Sequence, residues 1–235
     1  ADTALYWAKR DGRNIIRLWK HIDEKEIRSL DHYSIDGLKT EFVRLSNQMR
    51  ATYMESTNAL VKAIDAKDHY TQEHSKNVSE WGVMLARAMK LPDSEIEVIK
   101  YAGLLHDIGK IGISQEILCK KGQLTSEEFG VLKKHPEIGA NILKDVKFLE
   151  KEIPIVLHHH ERYDGKGYPH GLKAREIPLG ARIMAVVDAF DAMMTAREYR
   201  RKLSWDETIA ELVGGKGTQF APDVVDSFVR IMVEM

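Results

Sequence analysis

Two apolar stretches carry ionisable groups where a core should be. EVIKYAGLLHD, residues 97–107, runs straight into His106 and Asp107. PLGARIMAVVDAFDAM, residues 178–193, holds Asp188 among Ala185, Val186, Val187 and Ala189. A buried carboxylate is costly unless it is paired, hydrogen-bonded or bound to a metal. Any fold of this chain must therefore deliver partners to Asp107 and Asp188, and most of them have to come from distant sequence.

The histidines supply candidates. Of the ten, six fall at the ends or on the faces of helix-like segments. They are His74 in YTQEHSKNV, His106, His135 directly before Pro136, and His158, His159 and His160 after the apolar run IPIVL. Neutral imidazoles and carboxylates sharing a divalent metal would satisfy both aspartates. Asp107 has two oxygens and is able to bridge two metals. A bridged pair holds and activates a water, or binds both oxygens of an in-line phosphoryl displacement.

Taken singly, each residue has a plainer role. His74 or His135 alone reads as a core imidazole, His158–His160 as a solvated triplet, and Asp188 as an ion-pair partner of Arg182 or Arg197. The conjunction favours a metal site. Lys110, one turn past His106–Asp107 and next to Gly109, offers a point charge for a phosphate oxygen; its plainer role is a surface cation near a helix C-terminus. The loop ERYDGKGYPHG, residues 161–171, follows the histidines directly. Its glycines allow close backbone approach, so it reads as a wall or lid, with Glu161 and Asp164 placed to orient a ligand imidazole.

The surrounding pattern predicts an all-α fold. Few segments alternate as half-buried strands do. Leu91-Pro92-Asp93-Ser94 marks a turn and a helix start. Thr125-Ser126-Glu127-Glu128 is a capping box, and Pro136, Pro154 and Pro178 suit first turns. Residues 67–235 are expected to form a bundle of about six to eight helices. Residues 22–66 read as a linker, mostly one long helix over 38–66. Its stripe is Leu38, Phe42, Leu45, Met49, Thr52, Ser56, Ala59 and Ala63. That helix either lies on the neighbouring domain or pairs with a second copy. Residues 1–21 read as a short helix, a turn and a strand-like IIRLW, the fragment of a preceding α/β domain.

Charge narrows the function classes. Lys plus Arg (35) nearly balance Asp plus Glu (36), which removes the strong field of a DNA or acidic-membrane binder. Cys119 is the sole cysteine, so no intrachain disulfide forms and a reducing compartment is expected. No apolar run reaches the roughly 18 residues of a membrane span, and no secretory leader is visible. The chain starts at Ala1 and is read as a fragment of a longer protein, whose upstream part is free to be membrane-attached.

HDIGK at 106–110 and HHERYDGKGYPHG at 159–171 resemble the signature of the HD-GYP family, a branch of the HD-domain phosphohydrolases. KKHPEIGANIL, GLKAREIPLGARIMAVVDAFDAM and GGKGTQFAP agree with it. The resemblance implies an HD-domain helical bundle with two or three metals, usually iron or manganese, with nickel, cobalt or zinc also accepted by such donors. It implies a phosphodiesterase that hydrolyses cyclic di-GMP to pGpG or GMP through a metal-bridging hydroxide.

Carried over by residue, the resemblance makes His74, His106, Asp107 and Asp188 the shared ligand set. His135, His159 and His160 complete the second metal, and Asp107 is the bridge. Lys110 faces phosphate, Gly167, Tyr168 and Pro169 are the GYP triplet, and Arg197 and Arg200 hold substrate. His158 falls outside the pattern and is read as structural. Where some members carry a glutamate for a third metal this chain has Tyr70, so two metals are expected. Glu198 stands where a proline is usual, beside the proposed anion-binding arginines. Residues 1–19 resemble the end of a GGDEF domain, which implies a bacterial, cytoplasmic signalling protein.

Three rivals remain open at this point. They are another substrate such as cyclic GMP-AMP or a linear nucleotide, a sensor that binds without cutting, and a docking module that meets a partner, a GGDEF domain for example, through the GYP loop. A homodimer through helix 38–66 is a further expectation.

Overall fold

A computed structural model of the chain describes residues 37, 39–46, 48, 49, 52, 73–195 and 202–234. It divides into two units between Ser56 and Thr57. In the first, residues 39–46 are helical, as the stripe predicts. Phe42, Leu45 and Met49 of that stripe are exposed, and Glu41 pairs with Arg44 at 2.6 Å. The α/β fragment at 1–21, most of the linker, Tyr70, Arg197, Glu198 and Arg200 lie outside the described residues.

The second unit is helical. Among the described residues there is no strand, only isolated bridges between Asp164 and Lys173 and between Lys216 and Phe220. Its described residues form nine α-helices: α1 His74–Ala88, α2 Asp93–Leu105, α3 Gln115–Leu118, α4 Ser126–Leu132, α5 His135–Leu143, α6 Ile153–His158, α7 Leu179–Met194, α8 Trp205–Gly214 and α9 Pro222–Glu234. The count exceeds the expected six to eight because several pieces are very short; α3 has four residues and α6 six. Prolines set some of these breaks, with Pro136 and Pro154 in the first turns of α5 and α6. Pro178 sits one step earlier than expected, as the N-cap of α7.

Local chemistry fixes the helix starts. At α4 the Glu128 amide donates to the Thr125 hydroxyl at 3.2 Å, and the Thr125 amide donates to the Glu128 carboxylate at 2.7 Å. The same reciprocal cap opens α8 through Ser204 and Glu207. Two orphan amides are satisfied at each start.

The main core forms between α1, α2, α7, α8 and α9. Val224, Val225, Phe228 and Met232 make the buried stripe of α9 and meet Ile183, Met184, Val187 and Phe190 of α7. Phe190 packs edge-on to Phe228 at 4.9 Å and to Trp81 at 5.1 Å. A smaller cluster of Leu105, Ile108, Leu143, Leu149 and Val156 lies where α5 meets α6 and the 3-10 turn Ile108–Gly112. Gly109 makes that contact possible. A Cβ there would run into the His135 carbonyl and the Gly139 amide, so the chain just after His106–Asp107 is pressed against the start of α5.

Candidate metal centre

Helix ends converge on one point. α1 brings His74 at its N-terminus, the end of α2 brings His106 and Asp107, the start of α5 brings His135, the end of α6 brings His159 and His160, and the middle of α7 brings Asp188. Two triads result, His74/His106/Asp188 and His135/His159/His160, each with its ligand atoms within 4.8 Å of one another. Asp107 lies between them. Its Oδ2 is 3.3 Å from His106 Nε2 and 4.0 Å from His74 Nε2, and its Oδ1 is 3.3 Å from His135 Nε2. His74 Nε2 also lies 3.2 Å from Asp188 Oδ1. Arg182 does not pair with Asp188; it donates to the Ile177 carbonyl and faces Asp223.

The imidazoles are oriented by what their other nitrogens bind. Nδ1 of His106 donates to the Gly103 carbonyl at 2.8 Å, that of His135 to Leu132 at 2.8 Å, and that of His159 to Val156 at 2.7 Å. Nδ1 of His74 faces Asp191 Oδ2 at 2.7 Å. A carbonyl accepts only, so Nδ1 of His106, His135 and His159 carries a proton and Nε2 faces inward. The inward nitrogens crowd one another. His135 Nε2 and His159 Nε2 are 3.3 Å apart, and His106 Nε2 is buried with no hydrogen-bond partner. Convergent imidazole nitrogens beside two carboxylates are the donor set of a borderline divalent cation, so the residues present fit a metal pair with Asp107 between.

Electrostatics points the same way. Burial, helped by neighbouring imidazoles, holds His159 well below its usual range and His160 at about 4, so both stay neutral near pH 7. Burial would lower His74 too, but Asp188 and Asp191 outweigh it and raise His74 to about 10. Burial alone would raise the Asp107 and Asp188 carboxyls; Lys110 and His106 beside Asp107, and His74 beside Asp188, hold both well below the ordinary range. Lys110 Nζ sits 2.8 Å from Asp107 Oδ2.

A cavity of roughly 320 Å³ opens onto the cluster, within the size range of small-molecule sites, about 300–1,000 Å³. Lys110, Arg162, Tyr168 and Gln219 share its wall with the ligand candidates. Tyr168 stacks on His160 with centroids 4.9 Å apart, and burial raises its phenol, which keeps its proton. Gly167 lets the loop fold back: a Cβ there would strike the Arg162 amide and Glu161 Cα.

Glu161 and Asp164, expected to orient imidazoles, do neither. Glu161 accepts from the His170 and Leu172 amides at 2.7 and 3.1 Å, and Asp164 accepts from Arg162 and the Lys166 amide. These carboxylates hold the loop's own backbone, the commoner use of an acid in a glycine-rich turn. The orienting acid is Asp191, itself held by Asn77 at 3.0 Å. Asp191 follows Asp188 by three residues and Asn77 follows His74 by three, so helical spacing puts each beside its ligand. That signal was present in the sequence. Arg162 was missed as well; it reaches the cavity wall through its contact with Gln219 at 3.3 Å.

The chain is similar to known proteins. Residues 58–224 match the family model described as HD domain. A cyclic di-GMP phosphodiesterase response regulator, RpfG of Xanthomonas campestris, is 35% identical over 219 residues, covering 92% of this chain and 56% of its own. A 3'3'-cGAMP-specific phosphodiesterase 2 of Vibrio cholerae is 33% identical over 231 residues, covering 95% and 44%. The chain thus spans about half the length of these relatives. Among solved structures, Bd1817, an HDG"Y"P protein of Bdellovibrio bacteriovorus, superposes with a TM-score of 0.59 at 20% identity, over 78% of this chain and 64% of that one. HD-domain phosphohydrolases depend on metals, in keeping with the clusters here. On the match over residues 58–224, the chain belongs to the HD-domain family.

Proposed function

We propose that the second unit hydrolyses a phosphodiester bond of a cyclic dinucleotide, cyclic di-GMP foremost, yielding pGpG or GMP. The observation that carries this is the position of Asp107, one oxygen toward each triad, at the floor of an open cavity with Lys110 on its wall. His74, His106 and Asp188 would hold one metal, His135, His159 and His160 the other, with Asp107 shared. Iron or manganese suits these donors, as do nickel, cobalt and zinc. Once bound, such a pair supplies Lewis acidity to phosphate oxygens and to an attacking water.

The chain's own residues do the rest. The carbonyls and Asp191 keep Nε2 of His74, His106, His135 and His159 aimed inward. Lys110 neutralises charge that grows on the phosphoryl oxygens, which makes it a transition-state stabiliser. Tyr168 keeps its hydroxyl proton and offers it as a donor, while Gly167 and Pro169 set the loop that carries it. Arg197 and Arg200 are further candidates for phosphate or guanine. A homodimer through the segment 38–66 is part of the same proposal, with the exposed Phe42, Leu45 and Met49 as its apolar side chains. A GGDEF partner at the GYP loop and a bacterial cytoplasmic setting follow from the same family resemblance. Among the described residues no helix is long and apolar enough to cross a membrane.

The test is product chromatography after anaerobic incubation with cyclic di-GMP and Fe(II) or Mn(II). Turnover is expected to vanish in His106→Ala and Asp107→Ala, with metal content falling and helicity kept. Full activity in either variant refutes the reading. The cGAMP-specific relative in Vibrio cholerae favours running 3'3'-cGAMP alongside.

A further inference from the structure

A third group of ligand-type side chains stands apart from the two triads. His158, Glu161 and His170 each place one ligand atom within 4.8 Å of the others. His158 is the last residue of α6, Glu161 follows in the turn, and His170 comes two residues after Tyr168. Successive helical residues diverge by about 100°, so His158 and His159 serve different faces. Of the three, only Glu161 lines the cavity.

The carboxylate is prepared for a cation. Glu161 is buried, and the two amides that it accepts fix its plane. A carboxylate has about four acceptor positions, so positions remain open. His158 Nδ1 lies 3.7 Å from Glu161 Oε1, too long for a hydrogen bond. That nitrogen is buried and has no hydrogen-bond partner. The His170 ring is exposed, with its centroid 5.2 Å from that of His158. Two imidazoles and one carboxylate, with a remaining position open to water, suit a borderline ion such as Zn²⁺ or Ni²⁺ and disfavour Mg²⁺ or Ca²⁺.

We propose that His158, Glu161 and His170 bind one Zn²⁺-class cation, separate from the Asp107 centre, which clamps the loop bearing Tyr168 to the end of α6. Tyr168 packs on His160, so this ion stiffens the wall of the cavity, which Glu161 also lines.

The experiment counts bound metal and does not depend on turnover. The whole chain is titrated with Zn²⁺ by calorimetry, and with Co²⁺ by its visible absorption, in wild type, His170→Ala, His158→Gln and Asp107→Ala. His170 is exposed, so its alanine variant folds and keeps the test decisive even if His158→Gln does not. Wild type is expected to take up one more equivalent than His170→Ala, and Asp107→Ala is expected to retain that equivalent. Equal stoichiometry in wild type and His170→Ala overturns the proposal, as does loss of all binding in Asp107→Ala. A chain that hydrolyses no dinucleotide yet shows the His170-dependent equivalent sinks the catalytic reading alone.

Discussion

Replacing Asp191 tests whether the centre is built from outside its ligands. Its Oδ2 lies 2.7 Å from His74 Nδ1, and its Oδ1 accepts from Asn77 at 3.0 Å. Asp191→Ala removes a charge-assisted hydrogen bond worth about 1.5–3 kcal/mol. At about 1.4 kcal/mol per tenfold, that corresponds to roughly 10–100-fold in metal affinity, the usual cost of losing a group that orients a ligand. Part of the carboxylate's help goes equally to the proton that competes for His74, whose pKa it raises toward 10. The deficit is therefore expected near tenfold at pH 7 and to widen as pH rises toward 9, where proton competition fades. Asp191→Asn keeps an acceptor for the ring N–H and should lose less. The assay is competition for Mn²⁺ against a chromophoric chelator at three pH values. Wild-type affinity in Asp191→Ala at every pH, or a deficit that shrinks with rising pH, refutes the reasoning.

In protein stripped of metal, His74 adds stability that is complete below its unfolded pKa near 6.5 and is lost as pH rises through about 10. His160, held near 4, acts the other way, so stability is lost as pH falls from 6.5 toward 4. Urea titrations across pH should thus show a maximum near pH 6.5, and a monotonic profile argues against these environments. Gly109→Ala should cost several kcal/mol and release metal, because its Cβ meets backbone that has no room to yield; a melting curve with parallel metal analysis decides it. Phe228→Ala, at a side chain fully buried in the main core, should cost about 3–5 kcal/mol. The folded fraction should keep its metal stoichiometry.

What the sequence made legible was whatever chemistry leaves as a local mark. The capping box at Thr125, the Pro136 and Pro154 starts and the stripe at Phe42–Met49 were readable because each is set within a few residues. Asp107 and Asp188 were readable as anomalies, charged groups in apolar runs. The role of Glu161 was not, because a glutamate after a histidine suggests the same partnership whether it turns to the ring or to the loop amides. Only the closure of residues 161–172 decides, and that closure rests on Gly167 pressing against Arg162. Gln219 reaches the cavity from the far side of the chain, and no spacing rule connects it with Arg162.

One device explains why the ligands are histidines at helix ends. The last four carbonyls of a helix lack intrahelical donors, and they carry the negative end of its dipole. His106 follows α2 and donates to Gly103, His135 lies just past α4 and donates to Leu132, and His159 follows α6 and donates to Val156. In each case one hydrogen bond to the carbonyl three residues back caps the helix and sets the tautomer. The same bond leaves Nε2 directed into the space where three helix C-termini meet. A cation placed there is favoured by the inward nitrogens and by Asp107. Substituting any one of these histidines by glutamine should therefore lose more than a ligand, because the amide cannot span from the carbonyl to the metal as the two-nitrogen ring does.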